Sequence, residues 1–181
     1  SLFSRWQRLA APSEVSGALP FLMPVMTERL GSEDVTEPSE EVRAALVVLM
    51  RDVLLQCKQL IRPYLSECGA IALGCARDSH PEVIKSVCDV LAAIASTILR
   101  PMCSERTPKE VKPFSTKLLE ALLPHLRHRH GAVRLQVLRA LEEILLCGAG
   151  SSVEALTGWR LKNNVPIAEF YGKGAPRINY L

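Results

Sequence analysis

The sequence predicts an all-α fold, an α-solenoid of stacked antiparallel helix pairs. Three observations carry this: one apolar template occurs three times, another amphipathic stretch precedes each copy, and the composition is aliphatic. Of the 181 residues 48% are hydrophobic but only 5% are aromatic, a balance that suits helices packed through Leu, Ala and Val and disfavours a β-sandwich. Twelve prolines would break a few long helices but fit many short ones with a punctuated joint between each.

The template starts at Val42, Val83 and Val133. In the second copy, Val83, Val87, Val90 and Ile94 fall at i, i+4, i+7 and i+11, on one helix face. Val133, Val137, Ala140 and Ile144 repeat the spacing, as do Val42, Leu46, Leu49 and Val53. Each copy follows an amphipathic stretch: "ALPFLMPVMTERL" (18–30), "QLIRPYLSECGAIALGCA" (59–76) and "FSTKLLEALLPHLRH" (114–128). Gly31, Pro38, Pro81 and Gly131 mark the turns between the members of a pair. Ser39 and Ser79 are candidate caps for the helices that follow, and Glu in the first turn suits the helix dipole.

The markers are 41 and 50 residues apart, and the first spacing falls in the period of about 40 to 47 of HEAT or armadillo repeats. The expected architecture is therefore about three HEAT-type pairs, near 18–57, 59–97 and 114–147, plus partial flanking helices, in an array over 1–147. "RPMCSERTPKEVKPF", with three prolines and six charges, accounts for the longer second spacing as a loop at 100–113. Residues 148–181 read as a partial further helix, from Ser151 to Lys162, and an irregular C-terminal tail holding Trp159, Phe170, Tyr171 and Tyr180. The first 16 residues, with Trp6, read as the remains of an earlier helix.

At six residues before the one following each marker valine stand Glu37, Asp78 and His128, paired in sequence with Arg43, Ile84 and Arg134. HEAT repeats place an acid and a base at this offset. The resemblance implies a ladder of polar contacts along the turns, complete at Glu37 and Arg43 and broken where Ile84 and His128 stand.

Net charge is only +3, but residues 1–99 hold 9 basic and 12 acidic side chains while 100–139 hold 9 basic and 3 acidic. A basic segment can meet nucleic acid or an acidic protein. Phe114 is the single aromatic residue among its charges, too little for a stacking surface, which disfavours nucleic acid. Cys57, Cys68, Cys75, Cys88, Cys103 and Cys147 include no C-x-x-C pair. They read as small hydrophobes kept reduced in the cytosol. No apolar run has the 18 or so residues that span a bilayer, and no leader is visible. The chain opens on Ser1, as expected of a partial or short form.

Candidate chemistry is sparse. His125, His128 and His130 have helical metal-ligand spacing, with His80 as a fourth ligand, but Arg127 and Arg129 stand among them and no carboxylate is near in sequence to orient the rings. A solvated basic turn is the better reading. Cys88 has Lys85 three residues before it, yet its place beside Val87 makes it a packed wall rather than a nucleophile. "GKGAPR" (172–177) lacks the full phosphate loop and the strand before it. No catalytic, cofactor-binding or metal-binding residue is assigned, and no enzyme is expected. What remains is surface, where second helices line the concave side of a solenoid. Their polar positions are Arg51, then Lys85 and Asp89, then Arg134, Arg139 and Glu142. These six are the candidate partner-binding residues, with Lys85 and Asp89 spaced to pair with one another.

Beyond a generic array, "SEDVTEPSEEVRAALVVLM", "RPYLSECGAI", "DSHPEVIKSVC" and "LLPHLRHRHGAVRLQVLRALEEILLCGAGSSVEAL" resemble the dynein axonemal assembly factor 5 family of HEAT-repeat proteins, over roughly residues 19–156. The resemblance implies a cytoplasmic, non-catalytic, protein-binding scaffold in the preassembly of axonemal dynein arms for motile cilia. It implies contact with dynein intermediate chains or with other dynein assembly factors and chaperones, without cofactor or membrane. The alternatives are a generic HEAT adaptor in transport or phosphatase regulation, and a nucleic-acid-binding helical repeat using the basic segment 100–139.

Overall fold

The computed structural model describes residues 11–31, 36–104 and 108–147, and among these every regular element is helical. In chain order they are α1 (Pro12–Leu30), α2 (Glu40–Cys57), a 3-10 segment (Lys58–Tyr64) leading into α3 (Leu65–Cys75), and α4 (Pro81–Ile94). A π-helical turn (Ala95–Leu99) carries α4 into α5 (Arg100–Ser104). Next come α6 (Pro108–Leu122), a 3-10 segment (Leu123–Arg127) and α7 (Gly131–Leu145). The elements form two layers: α2 packs on α4 and α4 on α7, while α1 packs on α3 and α3 on α6. This is an all-α repeat solenoid.

Local chemistry explains the boundaries. Pro12 opens α1, and the Glu14 carboxylate reaches back to accept from the Ala11 amide at 2.8 Å, supplying a partner for an amide the helix leaves open. Pro20 and Pro24 lie on the exposed side of α1, where the carbonyls they leave unbonded can meet water. Ser39 caps α2, its hydroxyl accepting from the Val42 amide at 3.3 Å. Ser79 does not cap α4. His80 occupies that position, and its amide is held instead by the Asp78 carboxylate at 2.8 Å.

The proposed loop at 100–113 is largely helical. Ser96 and Thr97 turn their hydroxyls back to the carbonyls of Ala92 and Ala93 at 2.8 and 2.6 Å, a local bonding mode that suits an altered helical ladder. Helix thus continues through Ser104 and resumes at Pro108, well before the expected start at 114. Pro108 stands in the first turn of α6, where a missing amide costs little, while Pro101 follows directly on the π-helical turn within the continuous run. Proline density here marked a helix start and an altered helical turn rather than a loop. The tail reading for 148–181 and most of the flanking segment with Trp6 lie outside the described residues; residues 12–16 belong to α1.

The template faces are buried as spaced in the second and third copies. Val83, Val87, Val90 and Ile94 on α4, and Val133, Val137, Ala140 and Ile144 on α7, are all at most 1% exposed. In the first copy only Val53 is buried this way; Leu46 and Leu49 are half-buried and Val42 is 42% exposed. The difference is positional: α4 and α7 each have a second helix stacked before them, and α2 has none among the described residues.

Lys58 has a positive φ of 48° at the end of α2, where its amide donates to the Leu54 carbonyl. A side chain there is strained by about 1 kcal/mol or more. Lys58→Gly is therefore expected to raise the thermal midpoint by a few degrees. An unchanged or lower midpoint in a calorimetric melt would refute that origin of strain.

Five of the six cysteines are buried and Cys103 is half-buried. Burial pushes the thiols of Cys68, Cys75, Cys88 and Cys147 up to about 12. The Cys75 and Cys147 thiols lie within bonding distance of the carbonyls of Leu30 and Ala95, at 3.8 and 3.3 Å. At about pH 7.5, Ellman's reagent is expected to titrate about one thiol, Cys103, in the native chain, and all six after denaturation. Rapid native reaction of several thiols would contradict this packing.

Candidate protein-binding surface

The turns carry the first set of contacts between repeats. Arg43, at the start of α2, donates from Nη1 to the carbonyls of Glu37 and Pro38 at 3.0 and 2.9 Å. Arg134, at the equivalent place on α7, donates to the carbonyls of His128 and Arg129 at 2.8 and 3.2 Å. The same six- and five-residue offsets recur, so in both repeats the arginine clamps its own turn. The carboxylate expected to meet Arg43 goes elsewhere: Glu37 is bonded to Arg29 at 2.7 Å and to the Ser39 amide at 3.2 Å.

Arg43 instead binds the acid of the next repeat. Its Nε and Nη2 donate to the two oxygens of Asp78 at 2.6 and 3.3 Å, with the side chains only 14% and 4% exposed. Burial alone pushes the Asp78 carboxyl up, but Arg43 and the His80 amide outweigh it and hold the group below the usual carboxylate range. The Glu40 carboxylate stands 3.5 Å from His80 in the same seam. At the following rung Ile84 has no charge to offer, and His128 takes the place of the acid.

The three histidines of the basic turn are engaged with backbone and neighbours. His125 lies 2.6 Å from the Ala76 carbonyl, His128 Nδ1 accepts from the His130 amide at 3.2 Å, and His130 Nε2 accepts from Arg129 Nε at 3.1 Å. Burial, then the neighbouring His130, His125 and Arg129, push the His128 ring below its ordinary value. Among the described residues no group of three or more His, Cys, Asp or Glu side chains is arranged to hold a metal ion.

The second-helix layer carries the second set of contacts, and it brings together three of the six candidate residues. Arg51 on α2 bonds Asp52 at 2.7 Å and reaches Asp89 on α4 at 3.6 Å. Asp89 accepts from Gln136 on α7, and Gln136 in turn accepts from Arg139 at 3.4 Å. Arg51, Asp89 and Arg139 thus belong to one polar row crossing all three second helices. Lys85 does not pair with Asp89 as its spacing suggested; it binds Glu82 at 2.7 Å, while Asp89 faces its neighbours in the stack. Arg134 is spent on its turn. Glu142 is half-buried on α7, beside Glu143, which pairs with Arg100 at 2.8 Å.

Asp52, Gln136 and the Arg43 to Asp78 bridge were not anticipated. A signal exists in the register. Counted from the marker valines, Arg51 is nine residues on, Asp89 six and Gln136 three. Each contact falls about one helical turn earlier on the next helix, the stagger of the stack.

Known proteins are similar to this sequence. The family model described as "Dynein axonemal assembly factor 5-like, TPR repeats" matches residues 6–160. Dynein axonemal assembly factor 5 of Xenopus laevis is 31% identical over 137 residues, 76% of this chain and 15% of that protein. The proteins of the same name from Mus musculus and Homo sapiens are 28% and 29% identical over 167 and 168 residues, in each case 88% of this chain and 18% of the relative. The chain therefore spans less than a fifth of the length of these curated relatives. No solved structure matches it. The copies here, 41 and 50 residues apart, are longer than the roughly 34 residues of a TPR unit, although both repeat types are stacked helix pairs. From a match over most of its length, the chain belongs to the dynein axonemal assembly factor 5-like family.

Proposed function

We propose that this chain is a stretch of non-catalytic scaffold that holds protein partners while axonemal dynein arms are preassembled in the cytoplasm for motile cilia. The observation that carries this reading is the family match over residues 6–160, together with the assembly-factor name its relatives bear. The partners are dynein intermediate chains or other dynein assembly factors and chaperones. A helical array suits the task because its layers offer a long, rigid surface to an extended partner. On the second-helix layer, Arg51, Asp89 and Arg139 form the central row, with Lys85, Arg134 and Glu142 at its margins.

The test is a pull-down from ciliated-cell cytosol at two salt concentrations, with the chain and an Arg51→Glu/Arg139→Glu variant as baits. Dynein arm subunits or assembly chaperones on the native bait, and their loss from the folded variant, are the expected result. Equal recovery on both baits would move the binding surface off the second-helix layer. Absence of such proteins from a folded native bait would count against the proposed role for this stretch.

A further inference from the structure

On the opposite layer, the seam between α3 and α6 closes at one end and opens at the other. A Cβ at Gly69 would stand 2.7 Å from the Phe114 ring, so a bare Cα is what lets the ring seat there. Toward the turns the helices part into a groove of about 480 Å³. His125, 2.6 Å from the Ala76 carbonyl, lines it together with Ala76. Leu73, Ala121 and Pro124 give it an apolar floor, and Arg77, in the turn after α3, and Lys117, on α6, stand exposed at its rim.

Both cations are exposed, and neither has an ion pair among the described residues. This sets them apart from Arg29, Arg43, Arg51, Lys85 and Arg100, each of which is matched by a carboxylate. Glu120 is the single acid lining the groove, within a segment of 9 basic and 3 acidic residues. A cavity of this size takes one or two side chains rather than a whole helix. No Phe, Tyr or Trp ring lines it as a broad stacking platform for a base.

We infer that the groove between α3 and α6 docks an acidic peptide segment of a protein partner, seating one apolar side chain on the floor and carboxylates on Arg77 and Lys117. The groove lies on the layer away from Arg51 and Asp89, so it is a second surface, distinct from the one proposed above.

The test uses fluorescence anisotropy with the whole chain and a fluorescein-labelled peptide of about 12 residues, rich in Glu around one central Leu and Phe. The acidic peptide is expected to bind at least about tenfold tighter than its Gln counterpart. Arg77→Glu/Lys117→Glu, which alters only exposed positions, and Ala121→Trp, which fills the floor, are each expected to weaken it by about tenfold or more. Arg51→Glu should leave it unchanged, with circular dichroism reporting the fold of every variant. Native-like binding by the charge-reversed variant, or equal weakening by Arg51→Glu, would overturn the site. Full displacement by an equal concentration of single-stranded DNA would mean the rim is a nucleic-acid surface instead.

Discussion

Arg43→Ala is expected to destabilise the chain by about 3–5 kcal/mol, the cost of leaving a buried carboxylate without its counter-charge. The Asp78 side chain is only 4% exposed and has both oxygens on Arg43. The same change also strips donors from the carbonyls of Glu37 and Pro38. Arg43→Met with Asp78→Asn should recover much of the loss, since the amide oxygen can still accept from His80 and no charge is buried. Urea denaturation of Arg43→Met, Asp78→Asn and the double variant measures the coupling. A single-variant loss under about 1 kcal/mol would mean that water reaches Asp78 and the bridge acts as a surface pair.

The bridge also sets an acid limit. Asp78 is held below the ordinary carboxylate range, so its contribution is fully present above the unfolded value of about 3.9 and fades as pH falls through the lower folded value. The double variant should lose less stability than the native chain across that window. Parallel acid titrations would show a flat difference if Asp78 were not the group responsible.

Ile94→Ala should cost about 2–5 kcal/mol, from lost burial plus the cavity left behind. Ile94 is 0% exposed at the end of a helix flanked by α2 and α7, so neither neighbour can close in without disturbing the other seam. Val42→Ala provides the internal contrast. It stands at the start of the same template, but with 42% exposure its loss should fall within about 0.5 kcal/mol. Comparable costs at both sites, measured by denaturant unfolding, would contradict the burial difference between the first copy and the other two.

The helix pairs were legible because valines and leucines at helical spacing must share a face, and Pro81 and Gly131 punctuate the approach to the second helices. The end of α4 was not legible: Pro101 and Pro108 read alike as loop formers, and only the π-turn, with the back-bonded hydroxyls of Ser96 and Thr97, shows that the helix runs on past Pro101. The polar contacts were read half correctly. Arg43 belongs to the turn ladder, but spacing along one chain cannot say whether it meets the acid of its own repeat or that of the next. The answer depends on the stagger between stacked helices, which no single repeat encodes. Lys85 and Asp89 illustrate the same limit: four residues apart, they suit each other within a helix, yet Arg51 and Gln136 from neighbouring helices claim Asp89.

The rung left uncharged at Ile84 and His128 has a mechanical consequence. Under tension applied along the array, joints yield in order of their strength, and the first joint is pinned at its turn by a buried two-pronged bridge that the second lacks. The third pair should therefore peel away first, leaving the first two attached as a shorter unit. Optical-tweezer traces of the tethered chain would show an early, low-force step for that pair, and a single all-at-once rupture would rule out this order.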